Sequence, residues 1–130
     1  VVNVGKAVCV YRSLYEMWRC IGEELCGLFA DALRSVVPDI KCADDSYGDI
    51  MLDSDARSAF VMLEHNGEIV SIEDVIKKVF PELRGYEGIM CDVFFTEEEA
   101  EKAVQVLERI RNEEFDRVIA KCVERAGNVL

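Results

Sequence analysis

The chain of 130 residues carries 26 Asp and Glu against 15 Lys and Arg, a net charge of −11, and 51% of its residues are apolar. That length suits one domain able to bury a sizeable core without staples. With no Lys/Arg stripe, the composition argues against direct nucleic-acid binding and against anionic membranes, and favours a basic partner protein or metal cations.

Val1–Val4 is a short apolar segment, read as a first strand. It lacks the charged start and long apolar run of a signal peptide, so an intracellular, cytoplasmic protein is expected. One Thr, one Gln and one His accompany a glutamate-rich surface, a composition that leans towards a thermophile.

The spacing predicts a helix over Val8–Val37. Tyr11, Leu14, Tyr15, Trp18, Ile21, Leu25, Leu28, Phe29, Ala32, Leu33 and Val36 fall on one face at helical period; Arg12, Glu16, Arg19, Glu23 and Arg34 fall on the other. Pro38 ends it. Such a helix is longer than the domain is wide. An overhanging apolar end calls for a second subunit, so a homodimer is expected. The charges at every turn exclude a membrane span, and the aromatics read as core packing.

Residues 39–55 hold six aspartates against Lys41, and read as an exposed acidic loop. The apolar run in Arg57–Glu64 predicts a buried strand. Asn66-Gly67 signals a two-residue hairpin turn, with Glu68–Ser71 as the returning strand. Ser71 and Asp74 resemble a weak capping box for a helix over Ile72–Phe80. Ile89–Phe95 alternates and predicts a central strand, paired with Ala59, Val61 and Leu63 or their alternates Phe60 and Met62. Thr96 and Glu99 form a clear capping box for a last helix reaching about Ala126. Arg111 and Glu114 interrupt its apolar stripe; a bend near Asn112, a rim pair or an ion pair to another element would account for them.

The fold class that follows is α+β. A small antiparallel sheet packs against two long amphipathic helices, with a ferredoxin-like βαββαβ order plus a C-terminal helix as the topology if Val1–Val4 is a strand. That architecture carries no function by itself.

Six cysteines lack the close pairs that zinc ribbons and thioredoxin-type sites need. They read as buried thiols or as disulfides, and intracellular disulfides point to a hyperthermophile. Cys9 and Cys20 are too far apart along one helix to bond, as are Cys20 and Cys26. A disulfide therefore joins a helix cysteine to Cys42, Cys91 or Cys122, or links two chains.

Two chemical leads remain. Asp49, Asp53 and Asp55, with Asp44 and Asp45, offer oxygen ligands to a divalent cation, although the spacing does not match an EF-hand loop. Convergent carboxylates would make a metal-dependent phosphoesterase; spread along one face they would make a nucleic-acid mimic. His65, the sole histidine, abuts the Asn-Gly turn and reads as a surface turn residue. No nucleophilic triad or phosphate-binding glycine motif can be assembled. The reading that follows is a small, non-enzymatic interaction or regulatory protein, without cofactor.

Overall fold

A computed structural model describes residues 4–43 and 59–127, with side chains from residue 14 onward in the first helix. The described elements are a long helix α1 (Val4–Leu33), strand β1 (Ile40–Cys42), strands β2 (Ala59–Phe60), β3 (Leu63–His65) and β4 (Glu68–Ile69), helix α2 (Glu73–Val79), strand β5 (Leu83–Arg84), a 3-10 turn (Gly88–Met90), and helices α3 (Glu97–Glu113) and α4 (Phe115–Gly127).

α1 spans 30 residues, about 45 Å at the usual rise. Ile21, Leu25, Phe29 and Leu33 are fully buried at steps of four, so one stripe faces the core. Trp18 is half-buried against the same core. The helix starts earlier and stops sooner than its pattern predicts. Val4 lies in α1, which removes the proposed first strand; residues 1–3 lie outside the described residues. The last turn loosens at Leu33. The amides of Val36 and Val37 both donate to the Leu33 carbonyl, at 2.9 and 2.8 Å, before Pro38 turns the chain. Asp39 then takes a left-handed φ of 63°, a conformation Asp tolerates better than most residues.

Three strands form an antiparallel sheet in the order β1-β3-β4. Asn66 and Gly67 turn β3 into β4 with φ of 52° and 82°, both positive as a type I′ hairpin turn requires. Val61 and Leu63 are buried as the alternation predicts, while Phe60 and Met62 are partly exposed. The predicted single strand is split between two partners. Ala59–Phe60 runs parallel to Leu83–Arg84, and Leu63–His65 runs antiparallel to Ile40–Cys42.

Ile89–Phe95 is not a central strand. Its first half is a 3-10 turn, and only Val93 makes a bridge, with Val70. The described strands therefore do not assemble a βαββαβ sheet. The expected cap of α2 is absent. The Ser71 amide donates to the Val93 carbonyl at 2.8 Å, Ile72 stands at the N-cap, and no side chain caps the helix. The Ser71 side chain is hydrogen-bonded with Cys91 instead of capping the helix.

Thr96 caps α3 as expected. Its hydroxyl accepts from the Glu99 amide at 3.1 Å, and the Glu99 carboxylate accepts from the Thr96 amide at 2.9 Å. Those bonds hold the Glu99 carboxyl below its ordinary pKa, the backbone bond being the larger cause. The last helix is two helices, divided at Glu114. Ala103, Leu107 and Ile110 bury one stripe, and Val118, Cys122 and Ala126 bury the next. Glu114 occupies the stripe position between them.

Candidate functional site

Two disulfides fasten α1 to its neighbours. Cys20 bonds Cys122 of α4 with Cα atoms 5.6 Å apart, and Cys26 bonds Cys42 of β1 at 6.0 Å. Both are tertiary links from a cysteine of α1. Cys91, the third cysteine considered as a partner, is a free thiol. Lys121 and Glu24 add an ion pair at 2.7 Å beside the α1–α4 link.

The described surface has one conspicuous apolar region, on the connection from β5 to α3. Ile89 is 91% exposed, and Met90 and Phe94 are each 58% exposed. A methyl group at Gly88 would stand 3.6 Å from the Phe94 ring, so that ring lies beside the 3-10 turn that carries Ile89 and Met90. Neighbouring apolar side chains this exposed mark an interaction surface more often than isolated ones do.

Beside them lies a groove of about 200 Å³. Phe60, Tyr86, Ile89 and Met90 give it apolar walls; Glu73, Arg84 and Glu87 supply charge. Gly85 is among the residues that line it. A Cβ there would meet Ile72 Cγ2 at 2.6 Å and the Glu73 amide at 3.2 Å, so β5 approaches the start of α2 closely only because Gly85 has no side chain. The Gly85 amide donates to Glu73 Oε2, and Lys77 Nζ lies 3.5 Å from Glu73 Oε1. Glu73 is thus a buried carboxylate whose two oxygens are already engaged.

Cys91 sits at the edge of this region. Its thiol donates to the Glu87 carbonyl at 3.2 Å, with the Tyr86 carbonyl at 3.6 Å. Burial raises its pKa above the ordinary value; a hydrogen bond with Ser71 opposes this, and the Asp92 charge adds to it. A thiol held in that state is a poor nucleophile at neutral pH. His65 ends β3, paired across the strands with Ile40 and Glu68, and its Nδ1 is buried without a partner. The structure does not bring His65 together with Cys91 as a base and nucleophile: the polar neighbours of the thiol are Ser71, Asp92 and the two carbonyls.

Asp49, Asp53 and Asp55, with Asp44 and Asp45, lie outside the described residues. Among the described residues, no group of three or more His, Cys, Asp or Glu side chains could hold a metal ion. No helix among them is long and apolar enough to cross a membrane.

Sequence had signalled neither the apolar surface nor the groove. The alternation of Ile89–Phe95 hid them, because it reads as a strand. Gly85 and Gly88 on its N-terminal side were the available hint that the backbone bends there.

No protein-family model, no curated protein and no solved structure matches this chain.

Proposed function

We propose that this chain is a small acidic interaction protein, without catalytic activity, that docks a partner through the connection between β5 and α3. The observation that supports this reading is the exposure of Ile89, Met90 and Phe94 beside an apolar groove. Apolar side chains in such a region lose water when a partner covers them, at about 25 cal/mol per Å² of apolar area. The engaged oxygens of Glu73 and the carbonyl-bonded thiol of Cys91 suit a rigid binding surface better than a reacting centre.

The test is selection of displayed random peptides on the full chain, with counter-selection on the Met90→Ser/Phe94→Ser variant. Peptides that enrich on the first and not on the second support the reading. Enrichment that ignores the variant, or none at all, overturns it.

Homodimerisation belongs to the same proposal and is carried by α1. Leu14 lies on its apolar face yet is 39% exposed, and Cys20 is the first described side chain of α1 to be buried. Light scattering on the eluted protein should give twice the chain mass, and Leu14→Glu should halve it. Two disulfides in an intracellular protein would suit a hyperthermophile, where such bonds persist.

A further inference from the structure

The geometry points to a specific class of partner for the docking surface: a basic segment of another protein that carries apolar anchors between its lysines or arginines. This rests on the reading of Ile89, Met90 and Phe94 as a docking surface and adds the chemistry of the occupant.

Charge complementarity carries it. Residues 85–101 contain six acidic side chains, Glu87, Asp92, Glu97, Glu98, Glu99 and Glu101, and no Lys or Arg. Their placement follows the apolar residues. Glu87 lines the groove next to Ile89 and Met90. Asp92 is exposed two positions before Phe94, and Glu97 and Glu98 are exposed in the first turn of α3, just beyond it, Glu98 being paired with Lys102 at 3.4 Å. Apolar anchors inside an acidic rim give a partner both burial and a sign to match. Arg84 is the basic residue of the groove wall and stands on the side away from Phe94 in sequence.

The same charges argue against the other occupants. A second copy docked on this same surface would bring the same acidic rim against itself. An anionic lipid surface would be repelled likewise. A basic segment lowers the repulsion among the rim carboxylates while its apolar side chains cover Ile89, Met90 and Phe94. Because the rim is exposed, the attraction is screened over about 8 Å at physiological salt.

The test uses the full chain and three fluorescently labelled amphipathic peptides that share Leu, Trp and Phe anchors. All other positions are Lys in the first, Gln in the second and Glu in the third. Binding is read by anisotropy at low and at physiological salt. The Lys peptide should bind about tenfold tighter than the Gln peptide, and the Glu peptide should bind weakest. Neutralising the rim with Glu87→Gln, Asp92→Asn and Glu97→Gln should weaken the Lys peptide about tenfold. Glu108→Gln, Glu113→Gln and Glu124→Gln remove equal charge from exposed sites farther along α3 and on α4, and should leave binding within about twofold. Equal weakening by both triple variants would reduce the effect to general attraction and overturn the proposal. Gln and Lys peptides of equal affinity, both lost in Met90→Ser/Phe94→Ser, would overturn the basic class while sparing the docking surface. Binding indifferent to Met90→Ser/Phe94→Ser would overturn the docking surface itself. A dimer that this variant dissociates would overturn the proposal in favour of a second copy, and binding to anionic vesicles lost in the same variant would overturn it in favour of lipid.

Discussion

Arg111 and Glu82 form a two-pronged ion pair, with Nη1–Oε1 at 2.9 Å and Nη2–Oε2 at 3.0 Å. The pair joins α3 to the turn after α2. Arg111 Nη1 also donates to the Val79 carbonyl at 2.7 Å, at the C-terminal end of α2. The guanidinium carbon lies 5.2 Å from the Phe80 ring centre and 4.7 Å from that of Phe115. Phe80 in turn packs on Phe29 of α1 at 5.1 Å. One side chain thus touches every element at the junction of the helices except α1, which it reaches through Phe80.

Replacing Arg111 should therefore cost more than a surface charge does. An exposed pair contributes about 0–1 kcal/mol, whereas charge-assisted bonds add about 1.5–3 and the ring contacts about 0.5–1. Both partners are partly exposed, so Arg111→Ala is expected to lose about 2 kcal/mol in urea melts. Arg111→Lys should lose about half of that, because a lysine cannot fork onto both carboxylate oxygens. A double-mutant cycle with Glu82→Gln should show coupling of about 1 kcal/mol. Coupling near zero would mean that the ring contacts, not the ion pair, hold the junction.

The disulfides should differ in worth because they close loops of different length. Residues 20 and 122 are separated by 102 positions, residues 26 and 42 by 16. Chain entropy assigns about 4.7 kcal/mol to a loop near the first length and about 3 to one near the second. The Cys20→Ser/Cys122→Ser protein should melt lower than Cys26→Ser/Cys42→Ser, and reductant should lower the melting temperature of the parent below that of either variant kept oxidised. Peptide mapping without reductant should recover both links with Cys91 unpaired. Parent melting that is indifferent to reductant would show that the links do not form in solution.

Local signals were legible in the sequence and long-range ones were not. Asn66-Gly67 and Thr96 with Glu99 act within a few residues, and each determines its own geometry. The stripe of α1 was readable because eleven apolar positions repeat it. Its C-terminal end was not, since it depends on how the turn before Pro38 relaxes. The strand expected at Ile89–Phe95 failed for want of a partner: a period of two records which side chains alternate, not whether another backbone lies alongside. The chain around Phe60 is the converse case. One apolar run serves two sheets because β5 and β1 reach it from different directions. The ion pair of Arg111 is a third kind. Its position on an apolar stripe was visible as an anomaly, and inter-element pairing was among the explanations, but Glu82 lies 29 residues away and no local pattern names it.

Cys91 should react slowly and in a pH-dependent way. Its pKa is raised above 9.0, chiefly by burial. The fold therefore favours the neutral thiol over the thiolate. The sign follows: this preference contributes stability at pH below 9.0 and is lost as pH rises through the folded value. Alkylation by iodoacetamide at pH 7.5, followed on the peptide that carries Cys91, should be slower in the folded chain than in urea. Ser71→Ala removes the hydrogen bond that opposes the shift, and should slow the reaction further. A folded rate equal to the unfolded one would contradict the burial that raises the thiol's pKa.

The last expectation concerns Gly85, which lines the groove and on which the seat of Glu73 depends. An alanine there places its Cβ 2.6 Å from Ile72 Cγ2, well inside contact distance. Ile72 is fully buried and cannot swing away. The backbone cannot retreat either, because the Gly85 amide would leave the buried carboxylate of Glu73 without its donor. Overpacking of this kind costs about 1–3 kcal/mol, against about 0.4–1 regained from a less flexible unfolded chain. Gly85→Ala should therefore lose about 1–2 kcal/mol, seen as a lower urea midpoint at unchanged slope. The clash can be separated from the hydrogen bond. Ile72→Ala is itself destabilising, but it removes the atom that the new Cβ would strike. In that background Gly85→Ala should lose clearly less, with only the 3.2 Å approach to the Glu73 amide remaining. An equal loss in both backgrounds would assign the cost to the Glu73 bond and not to Ile72. No loss in either would show that β5 does not need to approach α2 this closely.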